Sequence, residues 1–137
     1  MRRIWSIVIC LFLTIPVFAQ QGKREHIEAV KVAFITQKLN LTSDEASKFW
    51  PVYREYQKEL EGLLRQKREA AKAQKENPDK VLDNQFNFDE RIIELRKKYR
   101  KEFGEVVSSQ KVMQFFQAER EFREQLIREL KERKEKG

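Results

Sequence analysis

Apolar residues recur along most of this chain at intervals of three and four, the spacing that places side chains on one face of an α-helix. Glycine and proline, which interrupt helices, are sparse between these apolar rows. The steps of the clearest row alternate between three and four, which is typical of a coiled-coil seam. Its members are Ala46, Phe49, Tyr53, Tyr56, Leu60 and Leu63. The pattern predicts an all-α protein.

Four helices follow from the apolar rows. The first, about Glu25 to Leu39, is apolar over a wide face, so we expect it to be largely buried. The second is predicted from Ser43 to about Gln74, the third from about Asp79 to Val106, and the fourth from about Ser109 to Arg133. The charged tail after Lys131 is expected to fray.

Polar residues stand where three of these helices begin. Thr42 precedes the second helix and Glu45 follows three residues later, which is the arrangement of a reciprocal capping box. Asn77 directly before Pro78 marks the start of the third helix, since asparagine caps well and proline favours the first helical position. Ser108 is placed to cap the fourth.

Pro51 falls inside the second helix, where it removes one backbone hydrogen bond. The seam keeps its phase on both sides of Pro51, so we interpret the position as a kink, with a break at Trp50 as the alternative. At 1.5 Å per residue, the second and third helices would each be roughly 40 to 50 Å long. An elongated chain with one layer of helices leaves apolar positions uncovered, so we expect a homodimer.

The N-terminus has the order of a cleavable export signal. Two arginines precede an apolar run from Ile4 to Pro16, and small Ala19 follows at the expected cleavage site. The run is too short and wrongly flanked for a membrane span. The single cysteine, Cys10, lies within this segment. Residues 20–137 are therefore expected to form one exported, periplasmic helical domain without a thiol or a membrane span.

Charge narrows the choice of partners. Without the two arginines of the signal, 27 basic residues face 22 acidic ones, a formal net charge of +5. A basic surface suits acidic partners, and export argues against nucleic acid. Anionic envelope polymers or unfolded chains fit better.

Residues for catalysis are not apparent. Enzymes need a nucleophile with a base, a metal site or a paired acid and base, and His26 is the only histidine. One imidazole beside surface carboxylates is a weak metal site, so we interpret His26 as solvated. The sequence predicts a protein that is not an enzyme and has no cofactor and no metal.

The motif Leu41-Thr42-Ser43-Asp44-Glu45 resembles the LTxxQ motif of the Spy/CpxP family of exported stress proteins, with Glu45 in the glutamine position. The likeness extends through Lys38–Thr42, Phe49–Tyr53 and Gln117–Arg123, which resemble the branch of the family found in Bacteroidetes. A second motif would fall at Val107–Lys111, where valine replaces leucine and Lys111 occupies the glutamine position. That cap cannot be reciprocal, because a lysine side chain has no acceptor.

The resemblance implies a bent four-helix hairpin, an antiparallel cradle-shaped dimer and ATP-independent binding of unfolded clients on a basic concave face. A periplasmic holdase chaperone for unfolded or misfolded envelope proteins is the leading hypothesis. The alternative is a regulator that binds a membrane sensor protein in the envelope stress response; a structural helical protein of the envelope is a third.

Seam spacing leaves Trp50 off the core, and Phe86 is expected to be exposed because it faces away from Phe88. Candidate client contacts are Trp50, Arg54, Arg65, Lys67, Arg68, Phe86, Arg96, Lys97 and Arg100, although ordinary solubilising charge is the other interpretation of each basic residue.

Overall fold

The computed structural model describes the backbone of residues 15–137 and the side chains from Gly22 onward. Four helices follow one another: α1 (Ile15–Leu39), α2 (Ser43–Ala73), α3 (Pro78–Val106) and α4 (Ser109–Lys136). No strand occurs between residues 15 and 137. The prediction of an all-α protein with four long helices is confirmed. The first fourteen residues of the predicted export signal lie outside the described part.

The chain divides into two compact units. The hairpin unit comprises residues 39–117, and the terminal unit combines the described residues up to 38 with residues 118–137. In the hairpin unit, α2 and α3 pack antiparallel. Ion pairs between Lys98 and Glu59 and between Lys67 and Asp89 define the register of the two helices. Residue numbers rise along one helix as they fall along the other. Near the turn, Asn84 donates to Gln74 at 3.3 Å.

The helix starts confirm the predicted caps. Asn77 Oδ1 accepts from the Lys80 amide at 3.2 Å, with Pro78 as the first residue of α3.

Helix α2 is continuous from Ser43 to Ala73 with Pro51 inside it, so the alternative of a break at Trp50 is wrong. The lost hydrogen bond of a proline is tolerable here because the seam on both sides keeps the helix packed.

Aromatic side chains fill the centre of the hairpin unit. Phe103 lies with its ring centroid 5.0 Å from that of Phe49 and 4.6 Å from that of Phe115. Tyr56 and Tyr99 extend the cluster, with ring centroids 5.3 Å apart. All five side chains are at most 1 % exposed. Phe49, Tyr53 and Tyr56 of the α2 seam are therefore core, as their spacing predicted, and Leu60 is buried with them, whereas Ala46 and Leu63 at the ends of the seam are half-buried.

The terminal unit overturns one expectation about α1. The first helix was expected to be largely buried, yet it begins at Ile15 and exposes Ile27 by 38 % and Val30 by 46 %. Among the described side chains of this unit, Ile35 is the one on α1 that is fully buried. The apolar face was identified correctly, but the described residues of this unit supply one covering helix, α4. Two helices cannot close over a wide apolar face.

Helix α4 also extends further than predicted. It continues to Lys136, through the charged segment that was expected to fray beyond Lys131. Basic residues Arg133, Lys134 and Lys136 occupy its last turn, where they interact favourably with the negative end of the helix dipole.

Candidate functional site

Five residues around two helix starts form a connected group, called here the cap junction: Asn40, Thr42, Glu45, Ser108 and Lys111. The Glu45 amide donates to Thr42 Oγ1 at 3.1 Å, and the Thr42 amide donates to Glu45 Oε1 at 3.2 Å. The predicted capping box is therefore present. Ser108 Oγ accepts from the Lys111 amide at 3.3 Å, which confirms the second cap. Leu41, the first residue of the motif, is half-buried beside these groups.

The side chain of Lys111 makes contacts that sequence reasoning missed. Its Nζ donates to Glu45 Oε1 at 2.7 Å and to the Asn40 carbonyl at 3.0 Å. Asn40 has a φ of 46°, a left-handed conformation that asparagine tolerates at the end of a helix. The lysine in the second motif thus binds the glutamate in the first motif. The sequence contained one indication of this pair, because Glu45 and Lys111 have opposite charges and each occupies the last position of its motif.

The electrostatics of the cap junction follow from these contacts. The hydrogen bond from Lys111, followed by that from the Thr42 amide, holds the pKa of Glu45 below its ordinary value. The carboxylate is therefore the favoured form in the folded protein. The cap junction orders the chain where α2 and α4 begin, and its contacts are satisfied within the protein. We assign it a structural role.

A second feature is an exposed apolar surface, called here the hairpin face. On α3, the row of Leu82, Phe86, Asp89 and Ile93 has steps of four, three and four, which place it on one side of the helix. Phe86 is 63 % exposed, Ile93 50 % and Leu82 48 %. The prediction that Phe86 is exposed is confirmed.

Helix α2 continues this surface. The ion pair between Asp89 and Lys67 joins the exposed row of α3 to the side of α2 that carries Leu64, three residues before Lys67. The antiparallel register places Leu64, 36 % exposed, level with Ile93. The hairpin face is therefore defined by Leu64, Leu82, Phe86 and Ile93. Such a grouping of large apolar side chains on a polar surface is typical of an interaction site.

Basic side chains border the hairpin face. Arg68 is exposed one turn from Leu64, and Arg100 is exposed two turns from Ile93. Arg96, one turn from Ile93, is half-buried. None of these three arginines forms an ion pair within the described residues.

Helix α2 carries a further row of exposed charge. The row repeats at steps of four and three and contains five basic residues and one acidic residue: Arg54, Lys58, Glu61, Arg65, Arg68 and Lys72. No ion pair involves any of the six in the described part of the chain. Arg54 and Arg65, both predicted as client contacts, belong to this row. Their charges are directed to solvent and remain available to an acidic partner.

Three predicted contact residues are already engaged. Lys67 is half-buried and pairs with Asp89, and Lys97 binds Glu94 one turn away at 2.7 Å. Trp50 is half-buried, with its ring packed edge-on against the rings of Phe49 at 5.0 Å and Tyr53 at 5.1 Å. The sequence did not reveal the partner of Lys67 because Asp89 lies on another helix.

The other side of the hairpin carries a polar group around Glu59. Tyr99 donates its hydroxyl to Glu59 Oε1 at 2.6 Å, and Lys98 Nζ donates to the same oxygen at 3.0 Å. The hydrogen bond from Tyr99, then that from Lys98, lowers the pKa of Glu59. Burial, followed by the Glu59 carboxylate, raises the pKa of Tyr99 well above its ordinary value. These groups satisfy one another and fasten α3 to α2.

Among the described residues, no cluster of three or more His, Cys, Asp and Glu side chains could hold a metal ion. No helix in this part of the chain is both long and apolar enough to cross a membrane. Comparison of the chain with protein-family models, curated proteins and solved structures finds no match.

Proposed function

We propose that this protein is a periplasmic, ATP-independent holdase chaperone that binds unfolded or misfolded envelope proteins. The observation that carries the proposal is the hairpin face, on which four large apolar side chains are exposed beside arginines that form no ion pair within the described residues. Unfolded chains expose both apolar and acidic side chains, and this surface complements both. The export signal predicted from the sequence and the resemblance to exported stress proteins support the same role.

The surface is suited to weak, reversible binding. Full burial of a large apolar side chain contributes about 1.5 to 3 kcal/mol. The four residues of the hairpin face are between 36 % and 63 % exposed, so part of each side chain is buried before a client binds. A client can therefore bury only the remaining area. Association also costs at least about 4 kcal/mol in lost translational and rotational freedom. A client is therefore held by a small surplus of free energy and can dissociate to fold.

Electrostatic attraction supplies the first step of binding. The exposed charges of Arg54, Arg65, Arg68 and Arg100 attract acidic segments and raise the rate of encounter. Because salt screens exposed charges beyond roughly 8 to 10 Å, protection should weaken between low and physiological ionic strength. A homodimer would enlarge this surface, and we include dimerisation in the proposal; the molecular mass in light scattering tests it.

The test is aggregation of several unrelated denatured proteins, measured by light scattering with and without this protein and without nucleotide. A holdase suppresses aggregation of all of them at near-stoichiometric ratios. The alternative function, a regulator dedicated to one membrane sensor, predicts no broad protection. Aggregation that proceeds unchanged for every unrelated client would therefore overturn the holdase proposal.

A pair of matched variants assigns any protection to the hairpin face. Phe86→Ser with Ile93→Ser removes two of its apolar side chains and should abolish most protection. Met113→Ser with Ile127→Ser removes two apolar side chains that are each 48 % exposed elsewhere on the chain, and it should leave protection intact. Equal losses in both variants would show that general surface hydrophobicity, not this face, binds clients.

A further inference from the structure

The terminal unit contains an apolar groove of about 650 Å³ between residues 22–34 of α1 and residues 122–133 of α4. Its floor is apolar on both helices and is formed by Ile27, Val30, Phe34, Phe122, Leu126 and Leu130. Ile27, Val30 and Leu130 remain between 38 % and 51 % exposed. Nothing within the described residues covers this floor, so its exposure carries a free-energy cost that a ligand could remove.

The two ends of the groove differ in chemistry. One end is closed where the rings of Phe34 and Phe122 lie 5.8 Å apart and Lys38 pairs with Glu121 at 3.0 Å. The other end is lined by Lys23, His26 and Arg133, and acidic Glu129 also lines the groove one turn before Arg133. The groove thus runs from a closed apolar end to a mouth where Lys23 and Arg133 outnumber the one carboxylate.

The length of the groove suits an extended ligand. From Lys23 to Phe34 it follows eleven residues of α1, or about 17 Å at 1.5 Å per residue. An extended alkyl chain could lie along the apolar floor over this whole length.

We propose that this groove binds a single-chain anionic amphiphile of the fatty-acid class. The alkyl chain lies along the apolar floor with its methyl end at Phe34 and Phe122. The carboxylate lies at the mouth, where Lys23 and Arg133 donate hydrogen bonds to it. An excess of basic side chains at one end of an apolar groove matches a molecule with one anionic head and one tail. This site is separate in the chain from the hairpin face.

The first test measures palmitate binding to the full protein by titration calorimetry, with a variant that fills the groove. Val30→Trp places an indole on the floor at a position that is already 46 % exposed, so the helix should be retained. Ala29→Trp is the matched control, because Ala29 is also exposed but does not line the groove. Palmitate affinity should fall by about tenfold or more in Val30→Trp and stay unchanged in Ala29→Trp. Equal affinities in the two variants would overturn the proposal.

The second test reverses the charge at the mouth. Lys23→Glu with Arg133→Glu should weaken palmitate binding about tenfold or more while leaving hexadecanol binding nearly unchanged. Arg24→Glu with Lys134→Glu changes the net charge by the same amount beside the mouth and should have little effect. Tighter binding of a lysophospholipid than of palmitate would refute the carboxylate assignment. A molecular mass that falls in Val30→Trp, with palmitate affinity unchanged, would assign the groove to a second copy of the chain instead.

Discussion

Replacement of Phe103 by alanine should lower the stability of the hairpin unit without removing any of its exposed side chains. Phe103 is fully buried, and its ring centroid lies within 6.3 Å of those of five other aromatic rings. Truncation of a buried phenylalanine costs about 3 to 5 kcal/mol, from lost transfer free energy and the cavity that remains. We expect a loss of about 4 kcal/mol for Phe103→Ala, a large share of the 5 to 15 kcal/mol typical of a whole domain.

Urea unfolding followed by circular dichroism at 222 nm measures this loss. With a denaturant slope of about 2 kcal/mol per molar, the midpoint should fall by about 2 M. The control is Phe86→Ala, the same substitution at a 63 % exposed position of the same helix, which should shift stability by no more than about 0.5 kcal/mol. A loss below about 1.5 kcal/mol at Phe103, or equal losses at both positions, would refute the assignment of the aromatic cluster as core.

Other predictions concern the cap junction and the seam. Thr42→Ala should lower the free energy of unfolding by about 1 kcal/mol, and Ser108→Ala by as much or less; an unchanged urea midpoint for Thr42→Ala would exclude a stabilising box. Because the pKa of Glu45 is lowered in the folded state, its contribution is present above the unfolded-state value and lost as pH falls through the folded one. Glu45→Gln should therefore lose less stability than the wild type between pH 7 and about pH 3, measured by urea unfolding at each pH. Gln57→Met should raise stability by about 1 kcal/mol in urea unfolding, since Gln57 Nε2 is buried without a hydrogen-bond partner in the described residues.

Local features of the fold were predictable from the sequence. The seam through Phe49 and Tyr53 and the caps at Thr42, Asn77 and Ser108 depend on residues within one or two turns of each other, and all of them occur as predicted. Helix periodicity and capping are properties of short segments, so a single sequence contains the required information.

Features that depend on contacts between helices were not predictable in the same way. The sequence pattern identified an apolar face on α1 but not that Ile27 and Val30 stay partly exposed beside the one other helix in the described part of its unit. The sequence pattern presented Lys67 as a free basic residue and hence as a candidate client contact. Its partner, Asp89, is 22 residues away in the sequence, so the pairing was not visible. The pattern likewise excluded a reciprocal role for Lys111 without revealing that the side chain reaches Glu45, 66 residues earlier. Such pairings follow from the register of packed helices.

The central claim, that unfolded clients bind the hairpin face, is tested most directly by site-specific photocrosslinking. A photoreactive phenylalanine analogue at position 86 places the probe on the hairpin face. The same analogue at position 87 places it on another side of α3, because neighbouring residues of a helix point in different directions. Asn87 is also exposed, so both probes are accessible to solvent. Each variant is irradiated with a denatured client and, separately, with the same client in its native state. The account predicts crosslinks from position 86 to the denatured client only and few from position 87. Equal crosslinking from the two positions, or from position 86 to native and denatured client alike, would contradict it.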